Sequence, residues 1–418
     1  MNNAVFDGHR FSLAYYAGDR KTGAITVVKQ DSGKTEIITV DSAEGSDLDK
    51  SLKPILIGLT DVHQAVLLDP KSKELTVSDR FPVDAFPAHI YTDPYSNRDW
   101  FMNDGDKQTG NDTLNCGDRG SSVAVVENTS SADAKYLATV CVGRGHHQAT
   151  FTGPSKQHPD VPARAVVSNL KDGTLSIIGN DPADAQSYLK VIATINLCEP
   201  DKEDGLAEGA VPNNSFPHGL QYSPMTGKIY NLNNGYGTVV VIDPLTNQIE
   251  SRFDFKGHSN LFITPDGRYL FGRGADRKSD PNHVIAKLSV IDLSTGEIVD
   301  KADLQDVYIS KYFFNKDASK LYLTTGSSGS PEQEANLKTD VVLCFDLGKL
   351  PKITLKEELR LGEVGTLAFH GKGDKTDFVF CSNAPEGSVV VLDGATDAEI
   401  ARIQVTGNMS HSRIWLVE

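Results

Sequence analysis

The chain has 418 residues, 39% hydrophobic and 23% charged, enough for a globular core that needs no staples. Its formal net charge of −15 excludes nucleic acid as a natural partner, favours solubility and draws cations. No apolar run reaches the roughly 18 residues of a membrane span, and the opening MNNAVFDGHRFSLAYY lacks the basic-then-apolar layout of a leader, so a soluble protein is expected, cytoplasmic unless a leader has been removed for export to a periplasm.

In chain order, FSLAYYAGDRKTGAITVVKQDSGKTEIITV (residues 11–40) reads as three strands with no first strand before them. SAEGSDLDKSLK, which follows, is too polar for a clear strand, and AVLLDPKSKELTVSDRF then gives a hairpin turning at Asp69. The same hairpin returns in weaker form at Asn128, Asn180 and Asp346, and clearly at Asp243, Asp292 and Asp393. Successive turns lie about 47 to 63 residues apart, the spacing of four-stranded propeller blades with loop insertions. Ahead of most hairpins stands a second unit, as in LQYSPMTGKIYNLNN and LFITPDGRYLFGRG, where two apolar strands flank a turn of Pro, Asp, Gly and Asn. The last residues, HSRIWLVE, look like an inner strand with nothing after it, and they complete the unit that the N-terminus leaves open. These elements predict an all-β fold, a single β-propeller domain over residues 1–418, with the N- and C-terminal strands sharing one blade. Good inner strands number about seven against eight outer hairpins, which favours seven blades, with eight as the alternative.

The five cysteines include no CxxC pair. Cys141, Cys198, Cys344 and Cys381 sit in apolar runs and read as buried reduced thiols, and Cys116 as a loop thiol. An insertion over residues 103–122, NDGDKQTGNDTLNCGDRGSS, interrupts the third blade and carries Asp104, Asp106, Asp112 and Asp118. Its spacing does not match the helix–loop–helix calcium pattern, so a solvated acidic loop over one channel mouth is expected.

Inner strands of a propeller all run the same way, so their first residues meet at one mouth of the channel. The starts FPAHIYTDP, RGHHQATFTGP, FPHGLQYSP, GHSNLFITP and MSHSRIWLV put His89, His146 or His147, His218, His258 and His411 at nearly one register. Two blades break the pattern, offering Tyr308 and Ser310 in one and Glu363 in the other. A ring of imidazoles suits a transition metal such as copper, zinc, iron or nickel. A polar channel plug and a site for an anionic small molecule are the alternatives. His9, His63, His158 and His283 fall in turns and read as solvated.

SPMTGKIYNLNNGYGTVVVID and TPDGRYLFGRG…LSVIDLSTGEIV resemble the YVTN-type propeller repeat, a superfamily that includes the cytochrome d1 domain and the propeller domain of nitrous oxide reductase. FPHGLQYSP and HIYTDPYSNRDWFMND look like ligand-bearing strand starts of nitrous oxide reductases, which hold a copper–sulfide cluster on a histidine ring. That resemblance implies copper, with iron or zinc as other ions, bound by His89, His146, His147, His218, His258 and His411, and redox chemistry on a small molecule if the protein is an enzyme. The d1 resemblance implies a haem, with Arg144 and Arg273 for its carboxylates, and is the weaker implication. AYYAGDRKTGAITVV resembles lactonase-type propellers, which implies a hydrolase with no need of the histidines. A non-catalytic propeller that binds a protein partner is the remaining expectation.

Overall fold

Runs such as TVVVID and SVVVLD are rich in β-branched residues, and each forms a strand buried on both faces (Thr238–Asp243 and Ser388–Asp393). The computed structural model places backbone strands from Val5 to Val417 and describes side chains over residues 89–402, apart from 106–115, 117–120, 128–134, 204, 206–208 and 384. Among the described residues, a two-stranded hairpin (Val5–Phe6 with His9–Arg10) stands beside eight four-stranded antiparallel sheets, or blades. Blade 1 comprises residues 12–39 with 411–417. Blades 2 to 8 follow in order over 45–82, 87–141, 149–196, 217–254, 260–305, 309–360 and 364–404. His411–Val417 pairs antiparallel with Ser12–Gly18, so the two ends of the chain share one sheet, as expected.

The sheet count corrects the preferred expectation of seven. Gly45–Leu48, inside the stretch judged too polar, pairs with Ile55–Leu59 and supplies the inner strand of blade 2. Backbone pairing suffices to make this strand, because an inner strand beside a channel need not alternate apolar residues. Inner strands of successive blades touch, as with Ala149–Thr152 and Pro217–Ser223, Pro217–Ser223 and Asn260–Ile263, and Val364–His370 and His411–Val417. The apolar cores lie between blades rather than within them. Phe262, Phe271 and Leu288 of blade 6 pack with Leu321 and Leu343 of blade 7. Val364 and Val390 of blade 8 pack with Tyr322 and Val342 of blade 7.

The repeated turn has a physical basis. The carboxylates of Asp243, Asp292 and Asp393 accept the amides of Leu245 (3.3 Å), Ser294 (2.9 Å) and Thr396 (2.8 Å). Their carbonyls accept the amides of Asn247, Gly296 and Asp397, residues with φ of 57°, 75° and 63°. Aspartate closes such turns through its side chain, and asparagine, glycine or aspartate best tolerates the left-handed position. Bulges recur as well. Register slips at the start of the inner strand in blades 2, 3, 5, 7 and 8, the position where the predicted rim residues stand. A bulge re-aims the side chains beside it.

The cysteine expectation needs one correction. Cys116 and Cys141 form a disulfide with Cα atoms 5.5 Å apart, so neither is a free thiol. Cys141 is the last residue of the outer strand Ala134–Cys141, and spacing along the chain does not reveal its proximity to Cys116. Cys198, Cys344 and Cys381 are free and buried, as expected. Alkylation of the denatured but unreduced protein will therefore modify three cysteines, and all five only after reduction. Intact mass reads the difference, and five adducts without reductant would refute the bond. No helix among the described residues is long and apolar enough to cross a membrane.

Candidate functional site

His146 and His147 lead into the inner strand of blade 4, His89 stands in that of blade 3, and His218 is the second residue of that of blade 5. Gly145 and Gly219 fix the path beside two of them, at φ of 106° and 119°. A Cβ on Gly145 would meet the Lys171 amide at 2.6 Å, and one on Gly219 the Leu261 amide at 2.7 Å, so both positions need glycine.

Three imidazoles converge. His89 Nε2 lies 3.0 Å from His146 Nε2, with ring centroids 4.6 Å apart. His146 and His218 stack at 5.8 Å between centroids. Two of the rings are oriented from behind. His146 Nδ1 lies 2.7 Å from Asp104 Oδ2, and His218 Nδ1 lies 2.8 Å from the Ser259 carbonyl. Both acceptors are oxygens, so each Nδ1 carries a hydrogen, and in the neutral tautomer that this selects the lone pair is on Nε2. The His146 lone pair then accepts from His89 Nε2–H. Gln148 completes the set. Its Oε1 accepts the Gly219 amide at 2.6 Å, which leaves its Nε2 to face His218 Nε2 at 3.4 Å. Burial, helped by the positive charge of Arg273, holds the His218 pKa below the ordinary histidine value against the opposing Ser259 bond.

Asp104 is the residue that the sequence reading misplaced. It begins the insertion expected to be a solvated acidic loop, yet it is fully buried, and its two oxygens reach His146 (2.7 Å) and His147 (3.1 Å). Burial alone would raise its pKa, but the hydrogen bonds from the two rings outweigh that and hold the carboxyl far below the usual range.

The remaining predicted residues have other partners. His147 Nε2 lies 2.9 Å from the Gly143 carbonyl, so both its nitrogens face oxygen acceptors and both must carry hydrogen for the two bonds to form. His258 stacks on Phe255 at 3.8 Å and places Nε2 3.0 Å from Ser289 Oγ. Burial pushes its pKa down to about 4, so it is a neutral packed ring. Arg144 pairs with Asp172 through Nε at 2.8 Å. Arg273 donates from Nη1 to the Ile309 carbonyl at 2.8 Å. The His411 side chain lies outside the described residues. Two histidines read as solvated are held instead: His158 Nε2 donates to the Met225 carbonyl (2.8 Å), and His283 pairs with Asp306 (2.7 Å). Among the described residues, no group of three or more His, Cys, Asp or Glu side chains stands ready to hold a metal ion.

No protein-family model matches the chain, and no curated protein matches it. Among solved structures it is similar to the dihydro-heme d1 dehydrogenase NirN in complex with DHE, with a TM-score of 0.62, 12% identity, and coverage of 98% of this chain and 76% of that one. It is similar to apo AztD from Citrobacter koseri, with a TM-score of 0.58, 12% identity, and coverage of 98% and 99%. A protein from Bacteroides uniformis assigned as a 6-phosphogluconolactonase gives a TM-score of 0.52 and 11% identity over 86% and 94% of the two chains. At such identities the likeness establishes the fold alone, a β-propeller.

Proposed function

We propose that the channel mouth binds a transition-metal ion through ring nitrogens of His89, His146 and His218. One observation carries the reading: His146 and His218 each spend Nδ1 on an oxygen acceptor while their rings stack with centroids 5.8 Å apart. A metal-binding histidine is characteristically oriented by such a bond from its other nitrogen, most often to a carboxylate or a carbonyl. His89 would join by moving its proton from Nε2 to Nδ1, and closing three rings around one ion takes side-chain movement from the described arrangement. Imidazole donors suit copper, zinc, nickel and iron, and affinity among divalent ions peaks at copper, which makes copper the favoured ion. When bound, such an ion would supply a Lewis-acid or redox centre. NirN, a fold neighbour, is solved in complex with DHE, but a haem has less support here because Arg144 is already taken by Asp172. The Cys116–Cys141 bond supports an oxidising compartment such as a periplasm.

Elemental analysis of untagged protein loaded with Cu(II), Zn(II) or Fe(II) and then desalted tests the proposal. Stoichiometric metal is expected in the wild type and in His258→Ala, and its loss in the His146→Ala, His218→Ala double variant. Metal that stays sub-stoichiometric after loading would overturn the reading and leave a protein-binding scaffold. Ester hydrolysis that survives both chelation and loss of the rim histidines would mark a lactonase instead.

A further inference from the structure

Both ring nitrogens on which the metal reading relies already face a hydrogen-bond partner. His146 Nε2 faces His89 Nε2 at 3.0 Å, and His218 Nε2 faces Gln148 Nε2 at 3.4 Å. Gln148 comes from blade 4 and His218 from blade 5, so the second contact crosses between blades. The Gln148 backbone is pinned to the next strand of its own blade: its amide donates to Ser168 Oγ at 2.9 Å, and its carbonyl accepts the Ser168 amide at 2.9 Å. Only its side chain has freedom to move.

The direction of that side chain is settled by its other end. Oε1 accepts the Gly219 amide at 2.6 Å, and a backbone amide can only donate, so the oxygen belongs there and the N–H group belongs beside His218. On the far side of the same ring, Nδ1 lies 2.8 Å from the Ser259 carbonyl, which can only accept. His218 thus meets an acceptor at Nδ1 and a donor at Nε2. This pairing selects the neutral ring with its lone pair on the Gln148 side. At 3.4 Å the Gln148 bond is loose, whereas the Gly219 bond at 2.6 Å is tight.

The two occupied nitrogens are released differently. His89 can uncover His146 by moving its proton to its own Nδ1. A carboxamide has no second form of that kind. Turning it over would bring its oxygen to His218 but would set its N–H group against the Gly219 N–H. We propose that Gln148 is a latch on the metal site, a positioning residue that caps the His218 lone pair and that an ion must displace to bind there. The latch rests on the metal reading and sets the affinity of that site. A residue that merely clamps blade 4 to blade 5 would act with the opposite sign, because removing it would loosen His218.

Chelator-treated full-length protein is titrated with Zn(II) in competition with a chromophoric chelator. Gln148→Met, which fills similar space without an amide, should bind Zn(II) about three- to tenfold more tightly than the wild type, since one hydrogen bond no longer has to be broken. Gln148→Glu keeps an oxygen for the Gly219 amide and sets a second oxygen beside His218, so it should bind more tightly still. Equal or weaker binding in Gln148→Met overturns the latch and leaves the metal reading standing. No uptake by the wild type or by either variant overturns both. A second readout needs no metal: in the chelator-treated protein the His218 Nε2 resonance, assigned with His218→Ala, should move downfield in Gln148→Met as the nitrogen loses its donor. A resonance that stays fixed overturns the latch alone. Should Gln148→Met not fold, Gln148→Glu carries the titration, and binding no tighter than wild type overturns the proposal equally.

Discussion

Asp104→Asn will destabilise the fold by about 3 kcal/mol and weaken metal loading about ten- to a hundredfold. The carboxylate is fully buried and serves two rings at once, His146 at 2.7 Å and His147 at 3.1 Å. Asparagine keeps its size but sets an amide N–H against one of two ring N–H donors. His147 suffers most, because its other nitrogen already faces the Gly143 carbonyl and its Nδ1 faces Asp104. Removing the acceptor of a buried donor costs the desolvation of the group left unsatisfied. His146 loses the acceptor that orients its ring and keeps the lone pair on Nε2.

The pH dependence has a definite sign. Asp104 has a folded pKa far below its unfolded one, because the ring bonds outweigh burial. Its contribution is therefore fully present above the unfolded carboxylate value near 4 and is lost as pH falls toward the folded value. Urea midpoints measured down from about pH 6 should fall less steeply on acidification in Asp104→Asn than in the wild type. Equal midpoints together with unchanged metal uptake would refute the assigned role.

The repeat was legible because its turns need particular residues. Asp243, Asp292 and Asp393 each close a turn with their own carboxylate, and that requirement shows in the sequence. The inner strand of blade 2 was not legible, since Gly45–Leu48 is held by backbone pairing and carries no apolar signature. Histidine register along the inner strands was visible, but register does not report what each ring touches. His89, His146 and His218 face one another, whereas His258 stacks on Phe255. Asp104 had a signal that composition obscured. Asn103 pairs with Pro87, so the residue following Asn103 emerges beside the start of the inner strand that carries His89. In an antiparallel pair the end of the second strand always lies at the mouth where the first begins, which makes that position a candidate in every blade.

Asp397→Asn will cost about 3 kcal/mol through a different device, a clasp between blades 7 and 8. Asp397 closes the last outer turn at a φ of 63°, and its side chain is fully buried. Its carboxylate accepts from Lys320 at 2.8 Å, Lys356 at 2.7 Å and Tyr322 Oη at 2.5 Å, and lies 3.7 Å from Cys344 Sγ. All four partners belong to blade 7 or its outer strand. Burial alone would raise the Asp397 pKa, but the bonds from Lys320, Lys356 and Tyr322 hold it below the ordinary value. The same carboxylate, after burial, keeps the Cys344 thiol up at about 12, so this cysteine is inert as a thiolate. Asparagine tolerates the left-handed backbone as aspartate does, so the substitution isolates the charge from the turn. The cost lies at the low end for a broken buried pair, because the Lys320 and Lys356 side chains are 14% and 40% exposed and can recover water. Lys356→Met should then cost only about 1 kcal/mol, because it removes the more exposed of the two lysines. Because the folded pKa is depressed, the Asp397 contribution is complete above about pH 4 and lost below it, and the gap between wild type and Asp397→Asn should narrow in acid. Denaturant unfolding of both variants across that range checks the ranking, and a Lys356→Met loss equal to that of Asp397→Asn would show that the clasp is a single exposed pair rather than a buried hub.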